Sequence, residues 1–97
     1  MRQIYWTWRA QSDLANVRSY ISHDSPRYAG IVVARILNAV ENAAAYPEAG
    51  RIVPEFERQD IRETINRPYR IVYRLVGERE LHILTVHHSS RRFPESL

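Results

Sequence analysis

Residues 69–93 run YRIVYRLVGERELHILTVHHSSRRF, two stretches of period-2 alternation on either side of a polar turn. In the first, Tyr69, Ile71, Tyr73 and Leu75 alternate with Arg70, Val72, Arg74 and Val76. One face of such a strand is apolar, and the other carries two arginines two positions apart. Gly77, Glu78, Arg79 and Glu80 turn the chain, and Leu81 to His88 returns as a second strand dense in apolar and β-branched residues. It runs out into His87, His88, Ser89, Ser90, Arg91 and Arg92. The pattern predicts a β-hairpin with a basic exit.

Working back from the hairpin, Ile61–Asn66 is strand-like and Arg51–Pro54 weakly so. Before them, Tyr46-Pro47 stops a helix, because proline disfavours helical backbone at the residue it follows, and Gly50 supports a loop beyond. That helix begins with Ser25 as N-cap and Pro26 in its first turn. It carries Ala29, Val32, Val33, Ile36, Leu37, Val40 and Ala44 at the 3.6-residue period. Asp24-Ser25-Pro26 separates it from an earlier helix, predicted to start at an N-cap Ser12 and run to about Ser22, with Leu14, Val17, Tyr20 and Ile21 on one stripe. Ile4–Trp8 reads as a first strand, with Trp6 and Trp8 as aromatic anchors packing the sheet against the helices. Arg91–Leu97, which includes Pro94, is predicted to be a short tail. The expected architecture is α+β: an N-terminal strand, a helical hairpin, then a three- to four-stranded antiparallel sheet.

The chain has 97 residues, enough for one domain spanning 1–97, and 44% of them are hydrophobic, which suffices for a core without disulfides. The absence of cysteine excludes a disulfide scaffold, thiolate catalysis and cysteine-ligated zinc. The N-terminus MRQIYWTWRA has no signal-peptide core, and nothing approaches the roughly 20 apolar residues of a membrane helix. A soluble, unprocessed cytoplasmic protein without membrane contact is expected. The net charge is +3, and all 14 basic residues are arginine. Arginine offers a planar, permanently charged fork for phosphate or carboxylate, although codon bias towards arginine is the better account of the overall lack of lysine.

Position says more than number: Arg62, Arg67, Arg70 and Arg74 meet the single acid Glu63 between Ile61 and Val76. Strand pairing that joined these four to His87, His88, Arg91 and Arg92 would create a phosphate-binding face. Arginine there stabilises charge on phosphoryl oxygens, and histidine exchanges protons near neutral pH. The bland alternative is a solvated arginine face and a strand end where one imidazole meets solvent and the other closes the core. His87 and His88 are adjacent on a strand and point to opposite faces, so they do not chelate one metal ion, and neither metal nor cofactor is expected.

RPYRIVYRL followed by ILTVHHSSRRFP resembles the C-terminal sheet of the RelE/ParE superfamily, the toxic halves of type II toxin-antitoxin pairs. PEAGRIVPEFERQDIRETI, residues 47–65, resembles that family's link from second helix to sheet, so the likeness spans essentially the whole chain. It implies a toxin, of the kind also found in plasmid stabilisation systems, neutralised by an antitoxin from the adjacent gene. By resemblance to RelE-type ribosome-dependent mRNA endoribonucleases, Arg70 holds the position of the arginine at the scissile phosphate, with Arg62, His87 and His88 as its catalytic companions. Arg67, Arg74, Arg91 and Arg92 are then candidates for target or nucleic-acid binding. The RelE pattern is incomplete: a second basic position falls near Thr64, and no tyrosine follows Tyr73. The ParE-like branch, which poisons DNA gyrase through a protein-binding surface, is therefore favoured. A small basic nucleic-acid-binding module is the third reading, with no aromatic RNA-binding motif or glycine-rich phosphate loop to support it.

Overall fold

Thr7, Ser25 and Pro47 punctuate the helical half of the chain. In the computed structural model, which describes residues 1–97, Thr7 ends strand β1 (Gln3–Trp6) and starts helix α1 (Trp8–Ser22). Its extended backbone lets the hydroxyl oxygen accept from the Ala10 N–H, while the hydroxyl proton goes to the Ile83 carbonyl at 2.7 Å. The helix thus begins well before Ser12, because Thr7 can anchor to the sheet and cap at once. Trp8 falls on the first helical turn and is 81% exposed, so only Trp6 packs against the core. Tyr20 also departs from expectation, at 79% exposed. Leu14, Val17 and Ile21 share one strip against the core, and Tyr20 lies about 60° beyond its edge at 3.6 residues per turn.

Helix α2 (Pro26–Ala45) follows its sequence pattern. The Ser25 side chain accepts from the Tyr28 N–H at 3.1 Å, and Pro26 lies in the first turn. Ala29, Val32, Val33, Ile36, Val40 and Ala44 are buried, joined by Ala43, whereas Leu37 is 42% exposed. No helix is long and apolar enough to cross a membrane. Pro47–Ala49 forms a 3-10 turn, and the rest of the chain is β2 (Arg51–Ile52), β3 (Ile61–Asn66), β4 (Tyr69–Val76) and β5 (Glu80–His88).

The sheet order is β1-β5-β4-β3-β2. Strands β2 to β5 are antiparallel, and β1 adds a fifth, parallel strand against β5 with Ile4 across from Leu81. Between β4 and β5 the register slips by one: Val72 faces Thr85 but Tyr73 faces Ile83, which leaves Leu84 as a bulge. Leu81, Ile83, Val86 and His88 therefore oppose Leu75, Tyr73, Ile71 and Tyr69, and His87 opposes Arg70. Without the extra residue the two histidines would exchange faces.

The sheet is covered on both sides. On the helix side Val32, Ile36, Val40 and Ala43 meet Tyr69, Ile71, Tyr73, Leu81, Ile83 and Val86. On the outer side Val53, Ile61 and Val72 form a smaller core with Phe56, Leu84 and Phe93. Tyr73 is fully buried and its hydroxyl donates to the Pro47 carbonyl at 2.8 Å, which ties the turn after α2 to the sheet. Burial pushes the Tyr73 phenol pKa up, so it stays a donor.

Gly50 makes that tie possible. A Cβ there would sit 2.0 Å from the Tyr73 hydroxyl and 2.8 Å from the Glu63 carbonyl. Gly50→Ala should lower unfolding free energy by about 1–3 kcal/mol, the usual cost of overpacking, measured by urea denaturation. A neutral result would mean that the close approach is absent.

Candidate functional site

Antiparallel pairing of β3 and β4 decides which arginines share a face. Glu63 lies across from Val72 and Ile65 across from Arg70, so Glu63 and Arg70 are diagonal neighbours on the outer face. Arg62 lies across from Tyr73, on the helix side. Its guanidinium donates to the Gly50 and Gln59 carbonyls at 3.0 and 3.2 Å. The four arginines Arg62, Arg67, Arg70 and Arg74 therefore do not form one phosphate-binding face.

Arg70 is held by carboxylates. Its Nε donates to Glu63 Oε1 at 2.6 Å, its Nη1 to Glu55 Oε2 at 2.9 Å, and its Nη2 to Glu55 Oε1 at 2.7 Å. Every guanidinium nitrogen is engaged. Glu63 is 1% exposed and takes a second cation, with Arg51 Nε at 2.5 Å from Oε2. Two acids and two arginines thus close a neutral cluster. Hydrogen bonding to Arg70 draws the Glu55 carboxyl down to about 2, and the bonds to Glu55 and Glu63 push the Arg70 pKa up.

The Phe93 ring lies over this cluster, its centroid 4.1 Å from the Arg70 guanidinium carbon. His87, across the sheet from Arg70, packs edge-on to the same ring with centroids 5.1 Å apart, and its Nε2 is 3.0 Å from the Arg91 carbonyl. Arg70 and His87 are thus brought together, with Phe93 between them and solvent. His88 turns to the helix side and meets Tyr69 edge-on. Arg74 reaches Asp60 at 3.4 Å, and Asp60 is held more tightly by Arg58 at 2.7 Å. Arg67, Arg91 and Arg92 are exposed, and Arg92 lies 3.4 Å from Glu95. No three His, Cys, Asp or Glu side chains converge on a metal-sized point.

Glu55 and Phe93 escaped the sequence reading, since both lie outside regular elements. Glu63 carried a visible signal, because it stands at the parity of Ile61 and Ile65, where an apolar residue belongs. The region's basic appearance dissolves once the segment between β2 and β3 folds back and brings Glu55 to Arg70 and Asp60 to Arg74.

The Glu55 pKa is depressed on folding, so the pair stabilises the native state above the ordinary carboxylate value of 4.5 and loses that effect as pH falls towards 2. The urea midpoint of the wild type should fall more steeply between these limits than that of Glu55→Gln. Parallel curves would contradict the clamp.

Residues 4–93 match the family model described as the ParE toxin of type II toxin-antitoxin system, parDE. The chain is 34% identical over 91 residues to Toxin RelE2 of Caulobacter vibrioides, covering 94% of this chain and 99% of that one. It is 39% identical over 98 residues to Y4kP of Sinorhizobium fredii, covering 99% and 97%. Its fold matches a chain from the chromosomal ParDE TA system of P. aeruginosa with a TM-score of 0.73 and 26% identity, covering 91% of this chain and 96% of that one. The α+β order of strand, two helices and antiparallel strands is thus that of the ParDE chain, and a type II system implies an antitoxin partner. The chain belongs to the ParE toxin family of type II toxin-antitoxin systems.

Proposed function

We propose that this toxin halts growth in the cytoplasm by poisoning DNA gyrase, and that it does so as a binding protein rather than as an enzyme. The observation that carries this reading is the state of Arg70. The arginine whose position resembles that of the nuclease residue has all three guanidinium nitrogens on Glu55 and Glu63. Reaching a scissile phosphate would require displacing Glu55 and drawing Arg70 away from the buried Glu63 carboxylate, at a cost of several kcal/mol. A gyrase poison needs no such rearrangement.

The antitoxin has a suitable seat on the opposite side of the molecule. Ile4, Trp6, Leu14, Val33 and Leu37 line an apolar groove of about 640 Å³, with Arg18 at its wall. It adjoins β1, an edge strand of the sheet. An amphipathic antitoxin segment with acidic flanks fits this combination, with apolar side chains in the groove and charge on Arg18.

A ribosome-dependent endoribonuclease is the second reading. It is favoured by the likeness to RelE2 and by His87 lying across from Arg70.

Purified toxin freed of its antitoxin should inhibit gyrase supercoiling and accumulate cleaved DNA. Unaffected gyrase, together with cutting of ribosome-bound mRNA, would select the second reading. Leu37→Asp, at a half-exposed position, should weaken antitoxin binding at least tenfold in titration calorimetry while leaving gyrase inhibition intact. Unchanged antitoxin affinity would move the seat elsewhere.

A further inference from the structure

Two segments without regular structure cover the outer face of the sheet: residues 54–59, between β2 and β3, and residues 90–97, after β5. Each is anchored by an aromatic ring. Phe56 is the one residue of 54–59 that is not exposed, and Phe93 and Pro94 are the only such residues of 90–97. The two rings pack against each other with centroids 5.9 Å apart.

Both segments converge on one guanidinium. Glu55 takes the Nη1–Nη2 edge of Arg70 at 2.9 and 2.7 Å, and Phe93 covers its face with the ring centroid 4.1 Å from the guanidinium carbon. A planar cation held at edge and face has one orientation left, so each contact prepares the other. Beyond Arg91 the C-terminal segment is otherwise tied by Arg9 donating to the Ser96 carbonyl at 3.0 Å. The Arg92–Glu95 pair is exposed at both ends and adds little.

Releasing these segments is easier than unfolding the domain. The helix-side core has eleven buried residues and the outer core three, and none of the three belongs to residues 54–59 or 90–97. The Glu55 side chain is 39% exposed and can return to water, whereas Glu63 at 0% keeps both Arg51 and Arg70. No buried charge is orphaned. Glu57, with φ at 53°, sits in the left-handed region without being glycine, a strain that opening relieves.

We propose that residues 54–59 and 90–97 form one clasp, which opens and closes as a unit over Arg70 while the strands and helices stay folded. Closed, it covers the Arg70 guanidinium together with Val72 and Leu84; open, it bares the cation and the apolar strip beside it. The apolar groove beside β1 is lined by no residue of either segment and keeps its shape. Access to the outer face is thus governed separately from access to that groove. The clasp goes beyond the gyrase reading and does not depend on it.

Native-state hydrogen exchange, followed by NMR on the full-length toxin, reads the clasp amide by amide. In one segment the Phe56 and Glu57 N–H groups bond to the Val53 carbonyl, and in the other the Arg91 N–H bonds to the His88 carbonyl. Phe93→Ala, which alters only the C-terminal segment, should speed exchange at Phe56 and Glu57 by about tenfold, the loss of one cation–π and one aromatic contact. Glu55→Gln should speed exchange at Arg91 by about fivefold, and it carries the test by itself if Phe93→Ala does not fold. The Val33 and Ile36 amides of α2 should exchange as in the wild type in both variants. The proposal is overturned if each substitution acts only within its own segment, or if α2 accelerates to the same extent, since opening would then be global. It is also overturned if Phe56 and Glu57 are unprotected in the wild type, which would leave the clasp without a closed state.

Discussion

Glu63 places a carboxylate, 1% exposed, on an apolar parity of β3, and the outer half of the molecule is arranged around that charge. An ionised carboxylate out of water costs several kcal/mol unless it is paired and hydrogen-bonded. Arg51 supplies one partner from β2 and Arg70 supplies the other from β4, so the three strands are joined by side chains as well as by backbone ladders. Arg70 then needs more acceptors than Glu63 provides, and Glu55 comes in from the segment between β2 and β3. Phe93 closes the assembly from the C-terminal side. Domains of this size have a total stability of about 5–15 kcal/mol. The loss of about 3–5 kcal/mol expected when a buried pair is broken would be a large share of that.

This constraint bears on function through Arg70, which the proposed reading keeps as a structural cation. A cation whose removal orphans a buried acid is a poor reagent for a reaction that must bring phosphate in and let it go. Surfaces free for partners lie elsewhere: the apolar groove beside β1 and the polar groove by the C-terminal segment. They lie on different faces of α1, with Leu14 and Arg18 lining the first and Arg9, Asn16 and Tyr20 lining the second. One helix thus borders both grooves.

Much of the fold was legible because local and global preferences agree. Ser25-Pro26, the stripe from Ala29 to Ala44 and the alternation from Tyr69 to Leu75 each specify their element without help from distant residues. Failures came where a tertiary contact chose between local options. Thr7 outcompeted Ser12 as N-cap because its hydroxyl also binds the Ile83 carbonyl, and Trp8 went to the surface as a result. The Leu84 bulge has no signature in an aliphatic run, yet it decides that His87 and not His88 joins Arg70. The apparent arginine face was misleading for a simpler reason: Glu55 and Asp60 are distant from β4 in the chain and adjacent to it in space.

A double-mutant cycle between Glu63→Gln and Arg70→Met, read by urea denaturation, tests the central claim most directly. If Arg70 exists to neutralise the buried carboxylate, each single substitution destabilises and the pair shows a coupling of about 2 kcal/mol or more, towards the upper end for residues in contact. Additive effects, with Arg70→Met leaving stability unchanged, would contradict it and return Arg70 to the pool of residues free for chemistry.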